Sequence, residues 1–486
     1  MNVIVICSDT FRHDHLGFLK KQPTFTPNLD RFASESAHFS DFWLCSFPTL
    51  VNRMDVFTGR YAFPLFKWGP LPQQFPVLAE VFTRHGFETA LISDNPHMNR
   101  PDFGFGRGFG FVKAVPGQIH DKFQPKSTPM IDLPCPVEKL GMEQERLDQY
   151  RRNAWWYRQE GVTTTELVFR EAMEWFTRPR KKFFLWIDAF DPHDPWDAAE
   201  AFQKFHPLNP QGDAVIWPKP GVADFYSPAD LENIRSLYRA EVSQTDYWFG
   251  RLFDLLRDRD LLGQTAVVFC SDHGYYLGEH NIVGKPVRLA ERTAIYEELG
   301  HLPLLVRHPQ RLAAGQTLRG LCQPPDLFAT ALELAQIPRV PWAQGHSLVA
   351  RLAGEPDPQQ FAIGGYHPHR GRVSCLSVWT NEWALMYSPT GGLANSELFH
   401  VPTDPTHTRN VIGQHHDVAQ ELVRLLDNWL DSLDVSAGRK RQLLYAAPFT
   451  VWNKLVYSAW LYKNRLSYSR RFRHYASTPA NGEANP

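Results

Sequence analysis

Val3-Ile-Val-Ile-Cys7, followed at once by Ser8, Asp9 and Thr10, is a short unbroken apolar run with a carboxylate at its exit. A run of this kind, rich in β-branched residues, reads as a central parallel strand buried on both faces. Asp9 then lies at the carboxyl end of the strand, the edge on which open α/β sheets place their ligands. On position alone it could equally cap a turn. The pattern recurs. Phe87–Ile92 exits into Ser93-Asp-Asn-Pro-His97, Phe183–Asp188 into Ala189-Phe-Asp-Pro-His-Asp-Pro-Trp196, and Thr265–Cys270 into Ser271-Asp-His-Gly274. Ala37–Trp43 and Leu302–Val306 read as further strands. Helical stretches alternate with the runs: one opening at Thr26-Pro27, then Phe75–His85 ended by Gly86, Thr163–Phe176 and Ser227–Arg259. This rhythm predicts an α/β domain around a mostly parallel sheet flanked by helices.

A chain of 486 residues suggests two or three domains. We assign residues 1–355 to the α/β domain, with irregular insertions at about 99–161 and 197–226 that would shape a pocket. Residues 356–435 form a small α+β subdomain. Its expected elements are an antiparallel hairpin of Val373–Val378 and Glu382–Tyr387, a strand Glu397–His400 and a helix Asp417–Leu433. Residues 436–486 form a tail in which Arg439–Tyr475 carries no acid and alternates bases with aromatics. It reads either as a solvated or self-packed segment or as a weak contact for a membrane or other anionic surface. A net charge of −1 gives no reason to expect a nucleic-acid partner. The six cysteines are scattered without paired spacing, which predicts free buried thiols in a reducing compartment. No signal peptide or membrane span is recognised, so the expected location is cytoplasmic. Assembly as a homo-oligomer is left open.

The stretch Cys45-Ser-Phe-Pro-Thr-Leu-Val-Asn-Arg-Met-Asp-Val-Phe-Thr-Gly-Arg60 places a lone hydroxyl, Thr49, four residues before Arg53. If Thr49 opens a helix, the two share a face, and the free N–H groups of the first turn favour an anion. A simple helix cap is the plainer reading of Thr49. Its neighbours change the balance. Asp9, Asp272 and His273 all stand at strand ends, and parallel strand ends converge on one edge. With the Thr49 oxygen they would complete the shell of one divalent ion, which would lower the pKa of the threonine hydroxyl. Arg53, His193 and Lys285 would bind the non-bridging oxygens of an ester, and His193 could instead protonate the leaving alcohol. His301 precedes a strand and is a further candidate contact. Two carboxylates and an imidazole fit Mn, Zn or Mg, and Ca less readily.

Asp9-Thr-Phe-Arg-His-Asp-His-Leu-Gly17, Thr26-Pro-Asn-Leu-Asp30, Thr58-Gly-Arg60, Ser271-Asp-His-Gly-Tyr-Tyr-Leu-Gly-Glu-His280 with Gly284-Lys285, and Asp404-Pro-Thr-His-Thr-Arg-Asn410 together resemble the sulfatase family of the alkaline phosphatase superfamily. The resemblance covers nearly the whole chain. It implies the alkaline-phosphatase-like fold, a divalent metal held by the opening segment and by Asp272-His273, and a small anionic ester as substrate.

The departures from the family pattern bear on chemistry. Sulfatases carry Cys-x-Pro-x-Arg with the cysteine converted to formylglycine. Counting back from Arg53 places Thr49 there, while Cys45 is out of register. Thr10 stands where many sulfatases have a second aspartate. Asp94-Asn-Pro-His97 replaces a Lys-x-His segment, so Asn95, His97 and Thr10 become candidate substrate contacts. A formylglycine hydrate can expel sulfate by returning to the aldehyde, whereas a threonine ester must be cleaved at phosphorus or sulfur by water. The threonine members of the superfamily handle phosphoryl groups, so the expected activity is a metal-dependent phosphodiesterase or phosphatase. The alternatives are a threonine-dependent sulfatase, a phosphoryl transferase and a non-catalytic binding protein.

Overall fold

The structure is a computed structural model that describes residues 1–119, 121–285, 294–356, 359–366, 375–433 and 435–445. Its strands are β1 (Asn2–Ser8), β2 (Ala37–Trp43), β3 (Ser46–Phe47), β4 (Glu88–Ser93), β5 (Phe111–Ala114), β6 (Phe183–Ala189), β7 (Gly221–Val222), β8 (Thr265–Ser271) and β9 (Tyr276–Leu277). They continue with β10 (Ile282–Gly284), β11 (His301–Leu302), β12 (Leu304–Arg307), β13 (Thr317–Cys322), β14 (Ala362–Tyr366), β15 (Leu376–Trp379), β16 (Trp383–Tyr387) and β17 (Glu397–His400).

The main sheet runs in the order β11-β2-β12-β8-β1-β6-β4-β5, with β13 also on β2. From β8 through β1, β6 and β4 to β5 the pairing is parallel, and β12 is antiparallel to both β8 and β2. The apolar runs belong here because both faces of the sheet are covered. Along β1, Val3, Val5 and Cys7 enter one core while Ile4 and Ile6 enter the other, the two-residue alternation of a strand. The first core is closed by helices Thr49–Thr58 and Pro324–Leu334, and the second by Pro27–Ser34, Thr164–Trp175 and the 31-residue Pro228–Asp258.

Register brings the strand exits to one level. Ser8 pairs with Ala189 on one side and Ser271 on the other, and Ser93 pairs with Asp188. Asp9, Asp272 and the segments after β4 and β6 therefore emerge together.

The second sheet, β17-β16-β15-β14-β3, contains the expected hairpin, with β15 and β16 antiparallel. Its edge strand β3 comes from the N-terminal part of the chain and pairs in parallel with β14. The C-terminal sheet thus reaches into the segment that leads to Thr49. Among the described residues no helix is long and apolar enough to cross a membrane. All six cysteines are buried and free, as expected.

The first insertion is less irregular than the sequence reading has it. It contains β5 and a 17-residue helix, Gln144–Glu160. That helix buries Leu147, Tyr150, Ala154 and Tyr157 at helical spacing, but two of the four are tyrosines set among Arg, Gln and Glu. The basic tail begins as a helix, Ala437–Leu444, packed on the protein through Leu443 and Leu444, with Arg439 donating to the Phe63 carbonyl. Residues 446–486 of the tail lie outside the described residues.

One buried carboxylate holds the entry to the Thr49 helix. Asp55 accepts from Ser46 N–H at 3.0 Å, Ser46 Oγ at 2.7 Å and Ala62 N–H at 2.7 Å. Asp55→Ala strands these donors in a dry site, where each unsatisfied group costs about 1–3 kcal/mol. We expect a loss of roughly 3 kcal/mol or more in urea unfolding and a clearly smaller loss for Asp55→Asn, which retains an acceptor. Equal losses for the two variants would mean that packing, not hydrogen bonding, holds this corner.

Candidate active site

Helix Thr49–Thr58 begins after Pro48 and stops at Gly59, whose φ of 69° is the left-handed conformation that terminates helices. Every residue of the helix is buried, so it sits inside the domain with its first turn against the strand ends. Thr49 and Arg53 share a face, as their spacing predicts.

Arg53 is 1% exposed and lies among three carboxylates. Its Nε and Nη2 donate to Asp188 at 3.2 and 2.9 Å, Nη2 reaches Asp9 at 3.3 Å, and Nη1 pairs with Asp272. Burial works against the guanidinium, but Asp188 and Asp272 hold its pKa above the usual range. Asp188 was missed at the sequence level, where it reads only as the end of an apolar strand. Trp186 Nε1 donates to the same carboxylate at 3.0 Å and aligns it.

One ligand atom each from Asp9, Asp272 and His273 falls within 4.8 Å of the others, and all three residues are fully buried. Burial and the Asp272 charge push Asp9 up to about 6, although Arg53 pulls the other way. Asp272 is desolvated too, yet Arg53 and His273 hold it below the usual carboxylate range. His273 Nδ1 lies 2.9 Å from the Gly274 carbonyl, which can only accept, so Nδ1 carries the hydrogen. Nε2 is left as a lone pair, and burial depresses its proton affinity to a pKa of about 3. That nitrogen is 3.1 Å from Thr49 Oγ1. Two anionic oxygens and a lone-pair nitrogen beside a hydroxyl form a donor set suited to a divalent cation.

The other sequence-level candidates fall into two groups. Asn95 Nδ2 donates to Asp9 at 3.1 Å. Thr10 donates N–H to Asp272 at 3.1 Å and Oγ1 to Asp9 at 3.2 Å, and it does so at a φ of 63°, a strained position for a β-branched residue. His193 and Lys285 lie near enough for their charges to act on Asp9 and on His273. His97 N–H bonds Asn95 Oδ1 at 3.1 Å, and its ring meets Trp68 edge-on. His301 belongs elsewhere. It stacks between His13 and Trp43, hydrogen-bonds the Ser40 carbonyl at 2.6 Å and Glu297 at 3.3 Å, and lines a separate cavity of about 780 Å³ with Arg12, Glu279 and Glu298. Cys45 is fully buried, with its sulfur beside Ser46 Oγ and near Asp55. Asn52 was also missed: its Nδ2 donates to the Asp272 carbonyl at 2.9 Å.

Residues 1–337 match the sulfatase family, and residues 286–435 match the C-terminal part of N-sulphoglucosamine sulphohydrolase. The chain belongs to the sulfatase family. Its relatives include arylsulfatase K of Xenopus laevis, 28% identical over 244 residues, and arylsulfatase K of Homo sapiens, 22% identical over 473 residues. The first match spans 48% of this chain and 42% of the Xenopus protein, so less than half of that relative, and the second spans 90% and 83%. A protein solved with its substrate D-glucosamine-2-N,6-O-disulfate superposes with a TM-score of 0.69 at 18% identity, over 90% of this chain and 99% of that one. Phosphonate monoester hydrolase of Agrobacterium radiobacter does so with a TM-score of 0.68 at 18% identity, over 93% and 98%. At such identity the likeness to these two is one of fold. As a sulfatase-family site, the Asp9–Asp272–His273 cluster is a candidate divalent metal centre.

Removing one donor tests the centre. We expect the protein to take up one equivalent of a divalent ion in equilibrium dialysis, and Asp272→Asn or His273→Ala to weaken uptake by more than the roughly 10–100-fold that changes outside the ligand shell typically cause. Uptake unchanged in both variants would remove these residues from the metal site.

Proposed function

We propose that this sulfatase-family protein is a metal-dependent hydrolase of phosphate esters, with Thr49 as the nucleophile. The observation that carries the reading is the 3.1 Å approach of Thr49 Oγ1 to His273 Nε2, at the mouth of a helix that also carries Arg53. Cys45, the cysteine preceding it in the sequence, has its sulfur beside Ser46 Oγ.

A divalent ion held by Asp9, Asp272 and His273 would make the threonine hydroxyl easier to ionise and offset charge on the transferred group. The donor set suits Mn, Zn or Mg. Thr49 Oγ gives up its proton to solvent and forms the bond to phosphorus, the bond from phosphorus to the leaving oxygen breaks, and His193 gives that oxygen a proton. Lys285 balances charge on the non-bridging oxygens. Water then gives a proton to His193 and attacks the threonyl phosphate, the phosphorus–Oγ bond breaks, and Thr49 takes a proton back from solvent. Arg53 stays bound to its carboxylates and acts by balancing their charge. The substrate is a small anionic ester, and the expected compartment is the cytoplasm.

A second reading, hydrolysis of sulfuric esters, draws support from the relatives named arylsulfatase K and from the disulfated sugar bound by one structural neighbour.

The test sets p-nitrophenyl phosphate, bis-p-nitrophenyl phosphate and p-nitrophenyl sulfate side by side with added Mn, Zn or Mg. Thr49→Ala should lower phosphoester turnover on the order of a thousandfold or more, as loss of a covalent nucleophile does. Dominant sulfate turnover would favour the second reading. Equal turnover by Thr49→Ala would remove the threonine from the chemistry.

A further inference from the structure

The segment after β6 holds His193 by contacts on three sides. The Asp191 carbonyl accepts from Ser8 Oγ at 2.7 Å, and Phe190 N–H bonds Asp94 at 2.7 Å. Trp196 Nε1 donates to the Pro192 carbonyl at 2.9 Å. The His193 ring stacks on Phe190 with centroids 4.1 Å apart.

Both polar groups of Asp194 converge on His193. Its backbone carbonyl lies 2.6 Å from His193 Nδ1. A carbonyl only accepts, so Nδ1 carries the hydrogen and Nε2 is the atom that exchanges protons with a ligand. The carboxylate Oδ1 lies 2.8 Å from the same nitrogen and 4.0 Å from Lys285 Nζ. Buried as it is, Oδ1 accepts no well-aligned hydrogen bond among the described residues, because the N–H points at the carbonyl instead. Oδ2 takes only a long bond, 3.4 Å, from the Tyr275 hydroxyl. A 4%-exposed carboxylate oxygen without an aligned donor is costly unless it serves a neighbouring charge. The titratable groups near His193 are Asp9 after β1, Asp191 and Asp194 from its own segment, His273 after β8 and Lys285 after β10. Of these, Asp194 contacts both His193 and Lys285.

We infer that Asp194 is a positioning residue with two separable parts. Its carbonyl sets the tautomer of His193, and its carboxylate is the shared counter-charge that keeps His193 able to donate a proton to the leaving oxygen with Lys285 drawn up beside it. The inference rests on the proposed function and extends it to a residue that touches no substrate.

Asp194→Asn isolates the second part, since the backbone carbonyl remains and the side chain keeps its shape. A leaving alkoxide needs the proton, whereas p-nitrophenolate leaves without one. We therefore expect the single-turnover rate of alcohol release from an alkyl phosphate to fall tenfold or more, that of p-nitrophenolate release to stay within about threefold, and the later water step, common to both esters, to slow equally. In a His193→Gln background, Asp194→Asn should add almost nothing, because the group it serves is gone. An equal fall in first-step release for both esters, or full additivity with His193→Gln, overturns the inference while Thr49→Ala still abolishes turnover. Turnover unaffected by Thr49→Ala overturns the underlying reading and this inference with it.

Discussion

Three carboxylates buried at neighbouring strand ends could not remain charged without a cation among them, and Arg53 is that cation. Asp9, Asp188 and Asp272 come from the exit of β1, from β6 and from the exit of β8, whose register sets them side by side. Taking one charged group out of water costs several kcal/mol even after relaxation, and only good geometry with further hydrogen bonds offsets it. A planar guanidinium with five donors can serve several carboxylates at once, which a lysine ammonium cannot match in shape. The arginine must therefore arrive from a buried helix aimed at the sheet edge. That explains why all of Thr49–Thr58 is buried and why Asp55 ties its entry to Ser46 and Ala62. Once Arg53 is seated, the residue one turn earlier is carried to the same edge, and that residue is Thr49.

The same constraint explains which parts of the fold were legible in the sequence. The strand runs of β1, β4, β6 and β8 were readable because strands buried on both faces are apolar without interruption, and their polar exits were readable by contrast. The grouping of Asp9, Asp272 and His273 follows from those exits and a parallel sheet. Asp188 was not legible because it lies inside a strand rather than past its exit; nothing local marks it until Arg53 is placed opposite. The Gln144–Glu160 helix escaped because its buried stripe relies on tyrosines in a polar background. β3 and β14 escaped because their pairing joins residues about 320 positions apart, and such short strands carry almost no pattern of their own. His301 was drawn to the site by its place before a strand, but β11 pairs antiparallel with β2, on the far side of β12 from the parallel strand exits.

The proposed threonine nucleophile would constrain the rest of the chemistry. Its ester has no carbonyl form to collapse to, so release requires a second attack at the same central atom. Water must then enter along the path by which the alcohol left. By microscopic reversibility the group that protonated the alcohol becomes the base for that water. With Thr49 as nucleophile, His193 therefore serves both halves of the cycle and must hold and release a proton at Nε2 without changing tautomer. A histidine free to flip between tautomers would serve one half and fail the other. The stack on Phe190 and the 2.6 Å contact of Nδ1 with the Asp194 carbonyl remove that freedom. Under the proposed mechanism a rigid imidazole in this segment is the counterpart of the threonine.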